Sequence, residues 1–171
     1  MTGALLVGGA STRFGSPKAL APLDGATLAD RGWETLAFCE ERLAVGKAAD
    51  ELELPFPVLD DGSAVRAPIA GVVAALRAAR TDLTVVLPVD TPLVSPDALR
   101  ALVDACRDAA VPQTGPLPGA YRRSALPVLE RRLAMGELSL RDALDELKVS
   151  IVRIDPALLA NVNTRDDLAR L

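Results

Sequence analysis

The sequence predicts an α/β protein: a three-layer, mostly parallel sheet with helices on both faces. Three observations predict it. Short apolar runs alternate with segments of helical period along the first two thirds of the chain. The most strand-like run, Leu83 to Val89, is apolar nearly throughout, as expected for a central parallel strand covered on both faces. Finally, Gly8-Gly9, Gly46-Lys47, Asp60-Asp61 and Asp90 each fall just past a predicted strand end. Such sheets place their ligands at that edge.

The elements follow in order. Ala4 to Val7 is the first strand and stops at two adjacent glycines. Leu20 to Leu23 meets a turn at Asp24-Gly25, and a helix follows in which Ala29, Trp33, Leu36 and Ala37 recur at helical spacing. Arg42 to Val45 and Phe56 to Leu59 are short strands. Pro68 opens a helix at the position where proline is tolerated, with Ile69, Val72, Val73 and Leu76 as its buried stripe. After Leu83 to Val89 comes Asp90-Thr91-Pro92, then a helix capped by Ser95 with Leu99, Leu102, Val103 and Cys106 inward. The last third opens with a loop from Gln113 to Pro118 and a strand at Gly119 to Tyr121. A helix from about Ser124 to Met135 follows, then a second one capped by Ser139 with Leu140, Ala143, Leu144 and Leu147 inward. Val149 to Ile154 alternates apolar and polar residues, the pattern of a strand near an edge. Thr164 caps a final helix, whose acidic residues lie at its positive end.

Composition bounds the chemistry. A chain of 171 residues, half of them hydrophobic, suits a single domain, 1–171, with a real core. A net charge of −4 is too acidic for a dedicated nucleic-acid binder, so any anion site must be local. The cysteines, Cys39 and Cys106, fall in predicted helices and read as small core hydrophobes. The absence of histidine excludes Ser-His and Cys-His nucleophile pairs and His-containing zinc motifs. Any acid, base or metal ligand must then be Asp, Glu, Lys, Tyr or Cys, which favours chemistry built on electrostatics and a hard cation. The N-terminal apolar run is too short for a signal peptide or a membrane span, so a cytoplasmic protein without membrane contact is expected.

The local anion site is the stretch from Leu5 to Lys18. A strand arrives at Gly8-Gly9, and Ser11, Thr12, Arg13 and Lys18 follow with little apolar material between them. Glycine lets a ligand approach the backbone, and N–H groups in such a turn converge on a phosphate while the side chains add donors and charge. The spacing excludes two familiar phosphate loops: Lys18 follows Pro17 rather than glycine, and the glycines are adjacent rather than spaced as in the dinucleotide fingerprint. The pattern present is Gly-Gly-x-Ser-x-Arg-x-Gly-x-x-Lys. Cations at Arg13 and Lys18 suit a reaction at the α-phosphorus of a nucleoside triphosphate, because they stabilise the charge that develops on departing pyrophosphate.

Asp90 follows the greasy strand, and Pro92 holds Thr91 extended. A carboxylate there takes one position on Mg²⁺, an ion that keeps waters and uses substrate phosphates as further ligands. Either Asp60 or Asp61 suits the N1–H and amino group of guanine, and spacing does not choose between them. Asn161 and Asn163 flank one valine, which puts both amides on one side of an extended segment, suited to a polar acceptor.

Together these residues resemble the molybdenum cofactor guanylyltransferase family, within the larger group of Rossmann-like, glycosyltransferase-A-like nucleotidyltransferases. The resemblance spans nearly the whole chain. It rests on the glycine-rich loop, Pro68-Ile69-Ala70-Gly71, Val89-Asp90-Thr91-Pro92 and Asn161-Val162-Asn163-Thr164. The loop marks the wider group, and the terminus points to this family. The resemblance implies transfer of GMP from Mg·GTP to molybdopterin-bound molybdenum cofactor with release of pyrophosphate. It further implies transient contact with other molybdenum cofactor proteins. It implies backbone contacts from Leu6, Val7 and Gly8 to base and ribose, with Gly9 and Ser11 in the same nucleotide loop. Phosphates would fall to Arg13 and Lys18, guanine to an Asp after the third strand, Mg²⁺ to Asp90, and the pterin side to Asn161 and Asn163. The chain departs from the family at Phe14, where Met is usual, and at Ala67, where Gly is expected. The Asn after the second strand has no clear counterpart near Gly46-Lys47. That departure leaves open a relative that uses CTP or another acceptor, such as a sugar phosphate. A nucleotide-binding homologue without turnover is the remaining alternative.

Overall fold

The computed structural model describes residues 1–8 and 17–171. In chain order, β1 (Thr2–Leu6) leads to a two-stranded hairpin, β2 (Pro22–Leu23) and β3 (Ala26–Thr27), and then to α1 (Leu28–Thr35). Asp24 and Gly25 turn the hairpin with φ of 51° and 84°, the positive values a tight two-residue connection requires. Thr27 starts α1 with a reciprocal cap: Asp30 N–H donates to its hydroxyl at 3.0 Å, and its own N–H donates to the Asp30 carboxylate at 3.1 Å. Next come β4 (Glu41–Gly46), β5 (Val58–Asp60), α2 (Pro68–Ala78), β6 (Leu83–Pro88) and α3 (Pro96–Ala105). The last third holds β7 (Ala109–Pro112), β8 (Gly119–Arg122), α4 (Leu126–Ala134), α5 (Leu140–Ala143), β9 (Val149–Val152) and α6 (Arg165–Leu168).

Seven of these strands form one sheet in the order β5-β4-β1-β6-β8-β7-β9. β8 runs antiparallel to both its neighbours, and the other pairings are parallel. The sheet has a hydrophobic cluster on each face, because successive side chains of a strand point to opposite sides. Leu5 of β1 and Val85 and Leu87 of β6, with Val7 and Val89 just past those strand ends, meet α1 and α3 on one face. Ala4, Leu6 and Val86 meet α2, α4 and α5 on the other. The expected three-layer, mostly parallel sheet is thus present.

Close packing explains several sequence choices. A Cβ at Gly32 would lie 2.5 Å from a Leu5 methyl, so glycine lets α1 settle against β1. In α2 every residue from Ile69 to Leu76 is buried, not only the four of the expected stripe. Its small residues, Ala70, Gly71, Ala74 and Ala75, let sheet and α4 approach it closely. Tyr121 is fully buried on β8, and its hydroxyl donates to the Pro116 carbonyl at 2.6 Å. A buried hydroxyl needs such a partner.

Three differences from the sequence reading stand out. β7 was not anticipated, since Ala109-Ala110-Val111-Pro112 has little intrinsic preference for a strand. It forms between β8 and β9, whose backbones supply its partners. Cys39 and Cys106 lie just past α1 and α3 rather than within helices, though both are buried as expected. Burial pushes both thiols up to about 11. Helix α1 also ends at Thr35, which leaves Ala37 exposed. The edge position of the strand at Val149 is as expected, with Ile151 62% exposed. Among the described residues no helix is long and apolar enough to cross a membrane.

Candidate active site

The carboxyl ends of β1, β4, β5 and β6 open onto a cavity of about 340 Å³. Leu6, Val7 and Gly8 line it from the first strand, Gly46 and Lys47 from the fourth, Asp61 from just past the fifth, and Asp90 from just past the sixth. The N-terminus of α2 contributes Pro68 and Gly71, and the chain end contributes Asn163. Residues far apart in sequence therefore converge here because parallel strands all finish on one edge. Gly8 and Gly46 lie close together at this edge. A Cβ on Gly8 would lie 3.1 Å from Gly46 Cα, and one on Gly46 would lie 3.1 Å from a Val7 methyl and 3.2 Å from a Val58 methyl.

Lys18 and Asp90 meet in this cavity. The ammonium lies 3.5 Å from Asp90 Oδ2 and donates to Asn163 Oδ1 at 3.2 Å. Asp90 is also anchored through its backbone, whose carbonyl accepts from Val162 N–H at 2.8 Å. Val162 is fully buried, so the segment at 161–163 is pinned with Asn163 toward Lys18. Asp167 secures the far side of that segment by accepting from the N–H groups of Asn163 and Thr164 at 2.9 and 2.8 Å. Those bonds, that from Asn163 N–H first and then those from the Thr164 hydroxyl and N–H, hold the Asp167 carboxyl below the usual range. Asn161 is exposed and lies outside the cavity lining.

The acidic pair separates clearly. Asp60 turns away from the cavity, accepting from Gly62 N–H at 2.6 Å and Ala48 N–H at 2.8 Å. These two backbone donors, Gly62 first, hold its carboxyl below the usual range. Asp61 lines the cavity with its side chain only 8% exposed. Its Oδ1 accepts from Lys47 Nζ at 2.7 Å and from Ser63 N–H at 2.9 Å. The Lys47 ammonium also donates to the carbonyls of Ser63 and Val65. The sequence placed Lys47 at this edge without giving it a role and did not single out Arg66 or Leu117, though all three line the cavity. The available signal for Lys47 was its place opposite Asp61: Gly46 pairs with Asp60 in register, so the next residues on both strands are neighbours. Arg66 binds Asp50 through both guanidinium nitrogens, at 3.1 and 2.5 Å.

Gly9, Ser11 and Arg13 lie outside the described residues. Among the described residues no group of three or more His, Cys, Asp or Glu could hold a metal ion by itself. Asp90 is a single hard oxygen donor whose Oδ1 carries no hydrogen bond among the described residues. That donor set fits an ion such as Mg²⁺, which takes one or two carboxylates and completes its shell with water and substrate phosphates.

A mostly parallel sheet that brings a glycine-limited strand end, lysines and the carboxylates of Asp61 and Asp90 to one cavity suits a nucleotidyltransferase. The chain belongs to the MobA-like NTP transferase domain family, whose model matches residues 3–151. It is 36% identical to a probable molybdenum cofactor guanylyltransferase of Deinococcus radiodurans, with 100% of this chain and 93% of that protein covered. It is 33% identical to the protein of the same name from Bacillus subtilis, with 98% and 92% covered. Among solved structures it is similar to molybdopterin-guanine dinucleotide biosynthesis protein A of Archaeoglobus fulgidus, with a TM-score of 0.84, 29% identity, and 99% and 96% of the two chains covered. The fold is shared with 2-C-methyl-D-erythritol 4-phosphate cytidylyltransferase of Thermus thermophilus, at a TM-score of 0.76, 20% identity, and 98% and 95% covered. A Mycobacterium tuberculosis protein with the same fold has been solved in complex with manganese, at a TM-score of 0.68, 23% identity, and 99% and 96% covered.

Proposed function

We propose that this nucleotidyltransferase is a molybdenum cofactor guanylyltransferase, which transfers GMP from GTP to the terminal phosphate of molybdopterin carrying molybdenum and releases pyrophosphate. The observation that carries the reading is that Lys18, Asp90 and Asn163 meet in one cavity that also holds Asp61. The names of the full-length relatives support the choice of base and acceptor.

The reaction joins an acceptor phosphate oxygen to the α-phosphorus and breaks the α–β phosphoanhydride bond. Charge accumulates on the departing pyrophosphate. Lys18 is the described cation suited to it, and charge that grows in the transition state is where a fixed cation contributes most. Asn163 holds the Lys18 ammonium through its amide oxygen and presents its NH₂ to the acceptor. Asp61 accepts from the base, and Asn161 contributes to the acceptor side at the rim. Arg13, Gly9 and Ser11 complete the triphosphate loop on the strength of the sequence pattern. Asp90 would hold magnesium, which when bound would supply charge neutralisation on the phosphates and a template for their alignment.

Pyrophosphate release tests the reading. GTP, CTP and ATP are each supplied with Mg²⁺ and molybdenum-loaded molybdopterin, and in parallel with a sugar 1-phosphate. Release from GTP with the pterin acceptor is expected. Preference for CTP would make the protein a cytidylyltransferase, and release with the sugar phosphate would move it to nucleotide-sugar synthesis. No release above background would make it a nucleotide-binding homologue.

A further inference from the structure

Asp61 is held by Lys47 in a way that restricts what its carboxylate can recognise. Each carboxylate oxygen has two lone pairs. On Oδ1 both are used, by Lys47 Nζ and Ser63 N–H. On Oδ2 none is used by the described residues. Lys47 is itself saturated: its three protons go to Asp61 Oδ1 and the carbonyls of Ser63 and Val65. It therefore has no donor left for a base, and it locks the carboxylate against rotation. Its side chain is 11% exposed, so water does not readily replace these contacts. Asp60 cannot substitute, because both its oxygens are bound to backbone N–H groups away from the cavity.

We propose that Lys47 sets how the cavity reads a base: it fills one oxygen of Asp61 and leaves Oδ2 as a single acceptor, so guanine and hypoxanthine nucleotides bind nearly alike. The proposal rests on the reading of the protein as a guanine-nucleotide enzyme. Guanine offers two adjacent donors, N1–H and the 2-amino group, which match the two oxygens of an unencumbered carboxylate. Hypoxanthine keeps N1–H and lacks the amino group. Where both oxygens are open, losing the amino group forfeits a charge-assisted bond, a loss of tenfold or more in affinity. Where Oδ1 is filled, the amino group has no carboxylate partner and its loss costs little.

The test is calorimetric titration of the wild-type protein with Mg·GTP and Mg·ITP, repeated on Lys47→Met. The wild type is expected to bind ITP within about threefold of GTP. In Lys47→Met one lone pair of Oδ1 is released, and the preference for GTP is expected to rise above tenfold in a protein whose melting curve is still cooperative. A wild-type preference for GTP above tenfold overturns this proposal and leaves the guanylyltransferase reading standing. An unchanged ratio in folded Lys47→Met does the same. Absence of binding by either nucleotide overturns both. Should Lys47→Met not fold, the wild-type ratio decides alone.

Discussion

Lys18 donates to Asn163 across 3.2 Å, although 145 residues separate the two in sequence. The contact joins the segment that follows the first strand to the one that precedes the last helix, directly beside Asp90. With the Asp90 carboxylate 3.5 Å away, it helps direct the Lys18 ammonium into the cavity, the orientation that the proposed phosphate role requires.

Lys18→Ala is expected to weaken GTP binding by at least tenfold. A charge-assisted hydrogen bond to phosphate contributes about 1.5–3 kcal/mol. Titration with Mg·GTP reads the change directly, and an unaltered dissociation constant would remove Lys18 from the phosphate site.

Asp90→Ala is expected to leave the fold intact and abolish Mg²⁺-dependent turnover. The substitution removes the partly exposed 3.5 Å ion pair with Lys18 but keeps the backbone carbonyl, which still accepts from Val162 N–H. Circular dichroism should therefore show a melting curve close to wild type, while pyrophosphate release falls to background at any Mg²⁺ concentration. Activity at the wild-type level would reject the metal assignment.

Tyr121→Phe tests the core under the antiparallel strand. The Pro116 carbonyl would lose its 2.6 Å donor in a part-buried setting. Loss of one such hydrogen bond costs about 0.5–1.5 kcal/mol. Urea unfolding should show a lower midpoint with an unchanged slope. A midpoint equal to wild type would mean that the hydroxyl contributes nothing net.

Asp167 gives the fold a pH dependence of known sign. Its carboxyl is held below the usual range by the Asn163 N–H and the two Thr164 donors. A depressed native value means that the unfolded chain takes up the proton first as pH falls. The stabilisation by Asp167 is therefore fully present above the unfolded value, about 3.9, and is lost as pH falls through the lower native value. Urea midpoints of wild type and Asp167→Asn should differ by a constant amount above about pH 5 and converge in more acid solution. A difference independent of pH down to pH 2 would contradict the capping role.

Much of the frame was legible because its signals are local. Hydrophobic runs marked β1, β4 and β6, proline and serine marked the starts of α2 and α3, and Thr164 marked the last cap, which the structure completes with Asp167. β7 left no such mark, since its pairing comes from strands on either side rather than from its own residues.

The amino-acid order by itself determined the layered parallel sheet, the sheet edge at which the cavity opens, and the kinds of group gathered there. It did so because strand periodicity, caps and turn residues act over a few neighbours. Only the tertiary structure put Asp61, and not Asp60, in the cavity lining. Adjacent residues at a strand end project to opposite sides, and which side becomes cavity depends on where β1, α2 and Lys47 pack. The same holds for Asn163 over Asn161, because only the burial of Val162 and the reach of Lys18 give that segment an inside and an outside.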